Sequence, residues 1–323
     1  MSAAAILIAG PNLSLDNVIE VPSVSMGGVH RSVREDTRGG GKGPNVARAL
    51  AATGARATVV SLAGGPTGRA AVDLLAGEGL DVVSVNCEGM TRSCLTVLSG
   101  GAATVFNGSG PQIDTETWAR YEKEVRARLP EGGVLVISGS FPPGAPHDAA
   151  QRLVQEAHRR GCFTICDTSR LQLQRALTAR PGIVKPNLEE AMGILAGRDE
   201  ELVEASDPSL QRSGRAARAL RDEGAQVALV TAGASGAAWV FEGGAKAVRP
   251  PRVNVVNPIG AGDCLAAGLA CGHVNGRPLE DSVKLAAAMA AASCETFAAG
   301  VLDFARAQQL LSEVSIEPLD MGR

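Results

Sequence analysis

Short apolar runs recur along the chain, separated by segments whose apolar residues fall at helical spacing. The runs AAILIA (4–9), TVVSLAG (58–64), VLVIS (134–138), FTICD (163–167), GIVKPN (182–187), VALVT (227–231) and AAWVF (237–241) read as strands. Helices are predicted from Pro44 to Thr53, near 67–77, near 147–160, and over 188–196 and 209–223. A long Ala-rich helical region covers 263–273 and 279–297. Continuous apolar strands that alternate with helices predict an α/β fold: a mostly parallel central sheet with helices on both faces.

Two stretches interrupt the alternation. Residues 13–38 and 88–109 are more polar and carry short alternating segments such as SCLTVLS and ATVFN. They are expected to form a small β-sheet lid inserted into an α/β core made of 1–12, 39–87 and 110–323. No long linker or internal repeat divides the chain. Ligands of open parallel sheets sit at the carboxyl ends of strands, so motifs just after strands carry most weight.

Composition narrows the classes. The chain has 323 residues, 45% apolar and 20% charged, with 39 Gly and 17 Pro in no regular period, which excludes disordered and fibrous proteins. Two Trp, one Tyr and six Phe leave few rings for stacking bases. A net charge of −3, with no block of like charge, argues against an extended nucleic-acid surface. Arg212, Arg215, Arg218 and Arg221 read as a solvated helix face. Seven scattered cysteines without a CxxC pair fit free thiols in a reducing cytoplasm rather than a zinc site. The opening MSAAAILIAG lacks a basic region and is expected to be a first strand rather than a signal peptide. No apolar run approaches the ~20 residues of a membrane span, so neither a membrane nor a nucleic acid is expected as a partner.

Candidate chemistry lies in four glycine-rich or strand-end motifs. In Asn257-Pro258-Ile259-Gly260-Ala261-Gly262-Asp263, two glycines precede a helix whose first amides can cradle an anion. Asp263 stands at the edge of that cradle, where it can take a proton from an attacking hydroxyl or simply cap the helix. Thr231-Ala232-Gly233-Ala234-Ser235-Gly236 lies between two strands, as a phosphate loop or a plain turn. Lys185-Pro186-Asn187-Leu188-Glu189-Glu190 ends a strand and opens a helix. There Asn187 and Glu190 suit a water-bound magnesium ion, or a helix cap. Gly39-Gly40-Gly41-Lys42-Gly43-Pro44-Asn45 opens another helix. It is no Walker A loop, since no Gly-Lys-Ser/Thr occurs, and no acidic residue suits a dinucleotide ribose.

The order GGGKGPN, TRSCL, SGSFPPG, KPNLEE, TAGASGA and NPIGAGD resembles the ribokinase/PfkB superfamily of ATP-dependent sugar kinases, from about Asn12 to Gly300. The resemblance is strongest to its phosphosugar branch, the tagatose-6-phosphate kinases and 1-phosphofructokinases. It carries Thr96 where 1-phosphofructokinases typically have lysine, and Asn257-Pro258 where many relatives have Asp-Thr or Ser-Thr.

The resemblance implies a ribokinase-like fold, ATP and Mg²⁺ as cofactors, and a homodimer joined through the lid. It makes Asp263 the base and Gly260, Ala261 and Gly262 the anion hole. Lys185, Asn187, Thr231, Gly233 and Gly236 would bind the nucleotide, and Glu190 with Asn187 would hold magnesium through water. Asp16, Gly41 and Asn45 would hold sugar hydroxyls, and Lys42, Arg92 and Arg31 a phosphate already on the sugar. The expected reaction moves the γ-phosphoryl group of ATP to a ketohexose phosphate: tagatose 6-phosphate, fructose 1-phosphate or fructose 6-phosphate. The alternatives are a kinase of a free sugar, nucleoside or polyol, and a non-catalytic regulator that binds sugar phosphates.

Overall fold

The apolar runs at 6–9 and 134–138 are buried along their length, as strands covered on both faces must be. A computed structural model describes residues 5–168, 170–196 and 209–321. Residue 4, where the first predicted strand begins, lies outside them.

Among the described residues the strands are β1 (Ile6–Asn12), β2 (Ser14–Glu20), β3 (Arg34–Gly40), β4 (Ala57–Ala63), β5 (Asp81–Asn86), β6 (Arg92–Ser99), β7 (Ala102–Asn107), β8 (Val134–Ser138), β9 (Phe163–Asp167), β10 (Ile183–Val184), β11 (Val227–Thr231), β12 (Ala237–Phe241), β13 (Gly244–Arg249) and β14 (Ser315–Pro318). The helices are α1 (Lys42–Ala52), α2 (Gly65–Gly77), α3 (Thr115–Arg128), α4 (Ala149–Arg159), α5 (Arg170–Leu177), α6 (Leu188–Leu195), α7 (Leu210–Asp222), α8 (Ala261–Val274), α9 (Leu279–Cys294) and α10 (Phe304–Leu310).

The large sheet has the order β14-β13-β12-β11-β10-β9-β8-β1-β4-β5. From β11 to β5 every pairing is parallel, and β12, β13 and β14 join antiparallel. Alternate residues of β1 serve opposite faces. Ile6 and Ile8 pack in the core that holds Val46 and Leu50 of α1, Leu265 of α8 and Met289 of α9. Leu7 and Ala9 pack in the other, with Trp118 of α3, Leu153 of α4 and Leu220 of α7. The fold is the expected α/β architecture, and a separate four-stranded sheet, β3-β2-β6-β7, occupies the two polar stretches.

The differences have local causes. Lys185 and Pro186 cut the strand predicted at 182–187 to Ile183–Val184. β5 is a half-exposed edge strand without a continuous apolar run. In α3, buried Trp118, Tyr121 and Val125 lie at helical spacing inside a mostly charged segment. α8 begins inside the GAGD motif rather than after it, so Asp263 belongs to its first turn. All seven cysteines are free thiols, and no helix among the described residues is long and apolar enough to cross a membrane.

Candidate active site

The switch in strand order falls at β1, which β4 and β8 flank. The carboxyl ends of the neighbouring strands carry the polar residues: Asn12 on β1, Ser138 on β8, Asp167 on β9, Lys185 just past β10 and Thr231 on β11. This is where open α/β sheets bind ligands. α1 and α8 bring the glycine-rich motifs to the same edge.

Gly260 is the N-cap of α8 with φ +88°, and a Cβ there would stand 2.6 Å from the Gly300 nitrogen. Only glycine fits so close a turn. The first intrahelical bond of α8 runs from the Cys264 amide to the Gly260 carbonyl. The amides of Gly262 and Asp263 precede it and point with the positive end of the helix dipole. A Cβ built on Gly262 meets only the Lys185 ammonium, at 3.2 Å. Donor amides and a cation therefore border one space, an arrangement suited to a developing negative charge.

Asp263 is buried beside this cradle, and its Oδ2 accepts a 2.8 Å hydrogen bond from Asn45 Nδ2 of α1. Asp167 is fully buried, with Oδ1 3.2 Å from Lys42 Nζ and Oδ2 3.1 Å from Lys185 Nζ. Lys42 also lies 3.5 Å from Glu190 Oε1. Burial, then repulsion from Asp167, pushes the Asp263 carboxyl up to about 7, against the pull of Lys42, Asn45 and Lys185. Burial alone would raise Asp167 too, but its two lysines hold it below the usual carboxylate range. Burial works against the Lys42 ammonium, yet Asp167, Glu190 and Asp263 raise its proton affinity. The site thus holds one carboxylate fixed as an anion and a second poised near neutrality, the separation that acid–base chemistry uses.

Asn187 and Glu190 form a capping box on α6: Asn187 Oδ1 accepts from the Glu190 amide at 2.7 Å, and Glu190 Oε2 from the Asn187 amide at 2.9 Å. Glu190 Oε1 alone turns to Lys42 and the cleft. No cluster of three His, Cys, Asp or Glu side chains fit to hold a metal occurs among the described residues. With Glu190 Oε1 shared with Lys42 as the one carboxylate oxygen turned to the cleft, this all-oxygen set fits magnesium that keeps its waters and binds chiefly through substrate phosphates. Thr231 is bridged to Asn187, and its amide donates to the Pro186 carbonyl. Gly233 (φ +54°) and Gly236 (φ +106°) form the antiparallel turn between β11 and β12.

On the small-sheet side, Asp16 Oδ2 accepts from the Gly41 amide at 3.2 Å, and Oδ1 from Ser14 Oγ at 2.5 Å. Arg92 donates to the carbonyls of Gly108 and Asn12, and its buried Nε lacks a partner. Asn12 Nδ2 donates to Ser140 Oγ and the Ser109 carbonyl, while Asn12 Oδ1 and Ser138 Oγ are buried without partners. Arg31 stands exposed between β2 and β3, and no hydrogen bond or ion pair among the described residues joins it to the cleft. The Lys42 ammonium, expected from sequence to hold the substrate's own phosphate, pairs with Asp167 and Glu190. Sequence reasoning missed Asp167, Arg48, Asn12 and Ser138. The available signal for Asp167 was a carboxylate closing the buried strand FTICD.

A family model described as "pfkB family carbohydrate kinase" matches residues 14–303. The chain is 29% identical to 1-phosphofructokinase of Bacillus subtilis over 308 residues, 95% of this chain and 98% of the relative. It is 30% identical to the Escherichia coli 1-phosphofructokinase over 310 residues, 96% of this chain and 97% of the relative. The structure of Escherichia coli phosphofructokinase-2 in complex with fructose-6-phosphate superposes with a TM-score of 0.82 at 28% identity, covering 96% of this chain and 99% of that one. Fold and cleft together define an ATP-dependent sugar kinase. The chain belongs to the pfkB family of carbohydrate kinases.

Proposed function

We propose that the chain transfers the γ-phosphoryl group of MgATP to a hydroxyl of a ketohexose phosphate, with Asp263 as general base. The observation that carries this reading is the Asp263 carboxylate, buried at the first turn of α8 against Asn45, beside the free amides and Lys185. The sugar oxygen attacks phosphorus, its proton passes to Asp263, and the bond to the ADP oxygen breaks. In the Gly260-Ala261-Gly262 turn the Ala261 amide already donates to the Pro258 carbonyl at 3.3 Å, so the amides of Gly262 and Asp263 and the Lys185 ammonium stabilise the charge on the moving group. Glu190 and Asn187 would hold magnesium through water, where it would supply charge neutralisation for the phosphates. Thr231, Gly233 and Gly236 line the nucleotide's side of the cleft.

Asp16, Gly41 and Asn45 hold the sugar hydroxyls. Arg92 holds the phosphate already on the sugar, since its unpartnered Nε and the buried Ser138 hydroxyl can donate to it, while the buried Asn12 Oδ1 can accept from a sugar hydroxyl. Lys42, paired with Asp167 and Glu190, faces the moving phosphoryl group from the Asp167 side. The small sheet acts as a lid that excludes water, and Arg31 joins the substrate phosphate when it closes. Exposed Val24, Met26, Val29 and Val33 in the connection from β2 to β3, and Phe106 on β7, support a homodimer paired lid to lid.

The names of the relatives favour a sugar-phosphate acceptor and put the fructose phosphates first among those to test. The test is ADP release measured with fructose 1-phosphate, fructose 6-phosphate, tagatose 6-phosphate, free hexoses and nucleosides. A ketohexose phosphate is expected to give the highest kcat/KM. Preference for any unphosphorylated acceptor overturns the substrate class. Asp263→Asn is expected to lower kcat by roughly 100- to 10,000-fold with ATP affinity kept, and retained turnover removes the base.

A further inference from the structure

Next to Asn45 stands Arg48, one helical turn further along α1 and 8% exposed. Each of its five N–H groups has an acceptor. Nη1 donates to Asn45 Oδ1 at 2.9 Å and to the Ala299 carbonyl at 3.4 Å. Nη2 donates to the Gly39 carbonyl and Glu78 Oε1, each at 2.9 Å, and Nε to Glu78 Oε2 at 2.5 Å. One guanidinium therefore ties α1 to the end of β3, to the C-cap of α2 and to the turn that packs on Gly260.

The chemistry of these groups leaves one arrangement for Asn45. A guanidinium only donates, and an ionised carboxylate only accepts. Asn45 lies between one of each, so its oxygen must face Arg48 and its NH2 must face Asp263. Without Arg48 the carboxamide is held by Asp263 alone, and once that carboxyl takes up a proton the amide can turn over and accept from it, which favours the protonated base. We propose that Arg48 is a positioning residue of the phosphoryl transfer: it locks the Asn45 carboxamide so that a donor, never an acceptor, meets the base.

This inference rests on the reading of Asp263 as the base. The other charged groups that face Asp263 are Lys42 on α1, Asp167 at the end of β9 and Lys185 after β10, and none of them bonds Asn45. Asn45 is thus the route by which Arg48 reaches the carboxylate.

The experiment is the pH profile of kcat, with saturating MgATP and the best sugar acceptor, for the wild type, Arg48→Met, Asn45→Leu and the Arg48→Met/Asn45→Leu double variant. Arg48→Met is expected to lower kcat at pH 7 about tenfold and to move the acid limb up by about one pH unit. In the Asn45→Leu background the same change is expected to do neither. An unmoved acid limb in folded Arg48→Met, or an equal loss in both backgrounds, overturns the proposal and leaves Arg48 a structural residue. If Arg48→Met does not fold because Glu78 keeps only Arg38, at 3.7 Å, Arg48→Met/Glu78→Met removes both charges and takes its place in the same comparison. A wild-type profile with no acid limb, or active Asp263→Asn, removes the base reading itself, a result separable from every outcome at Arg48.

Discussion

The Lys42 ammonium lies 3.2 Å from Asp167 Oδ1, joining the first residue of α1 to the last residue of β9 across 125 positions of sequence. The contact fixes Asp167 as an anion. That fixed anion in turn makes it harder for Asp263 to lose its proton. The proton affinity of the proposed base is therefore set on β9 and α1 as well as on its own helix.

A consequence follows for the pH dependence of turnover. The base must be deprotonated, so kcat is expected to fall as pH drops through about 7, the value to which burial and Asp167 raise Asp263. Asp167→Asn removes the repulsion while Lys42 and Lys185 remain. The acid limb is then expected to move to lower pH by about one unit. A stopped assay from pH 5 to 9 on both proteins reads this. A limb that stays in place would show that Asp167 does not act on the base.

Stability carries the opposite sign for the two carboxylates. Asp263 binds its proton more tightly folded than unfolded, so folding is favoured below the unfolded value of 3.8, and that advantage is lost as pH rises through about 7. Above pH 7 its buried charge is a cost. Asp263→Asn is expected to raise Tm at pH 8.5 by roughly 2 °C or more, with little difference below about pH 4. Asp167 is held below its ordinary value, so its contribution is present above 3.8 and lost as pH falls further. Calorimetry at the two pH values separates the cases, and a less stable Asp263→Asn at pH 8.5 contradicts the assignment of burial cost.

Much of this was legible in the chain. The runs VLVIS and FTICD announce strands buried on both faces, and GAGD and KPNLEE sit where strands hand over to helices. The pairing of charges was not legible. Asp167 meets Lys42 and Lys185 only because parallel pairing sets β8, β9 and β10 side by side, and nothing local to FTICD reports that. Arg48 is hidden for the same reason: three of its four partner residues, Gly39, Glu78 and Ala299, come from separate elements. Asn187 shows a further limit. Its spacing from Glu190 serves a helix cap and a cleft residue alike, and the structure contains the cap.

Lys42 and Arg92 are both cations proposed to face phosphoryl groups, yet their surroundings differ. Lys42 is paired to Asp167 and Glu190, whereas Arg92 holds backbone carbonyls and keeps a buried Nε free. Arg92→Ala is expected to raise KM for a sugar phosphate at least tenfold with little change for ATP. Lys42→Ala is expected to act mainly on kcat, because it also leaves buried Asp167 with one cation. Steady-state kinetics with both substrates varied decides between them, and equal KM effects would return Lys42 to the acceptor's phosphate.

The two glycines of the GAGD turn separate folding from chemistry. At Gly260 the backbone has φ +88°, and a methyl group would press into backbone nitrogen at 2.6 Å, which cannot yield as a side chain can. Gly300, the residue struck, itself packs against Asn45. Gly260→Ala is therefore expected to cost about 2 kcal/mol or more of stability and to disturb the base through Asn45. At Gly262 the backbone is helical, and an added methyl meets only the Lys185 ammonium, the free end of a side chain, at 3.2 Å. Displacing that ammonium costs little in folding but removes a cation from the edge of the anion cradle. Gly262→Ala is thus expected to keep its Tm within about 2 °C of the wild type while kcat falls about tenfold or more. Melting curves and kcat on the two variants check the contrast. A Gly262→Ala protein with full turnover would mean that the space beside Lys185 is not where the phosphoryl group passes.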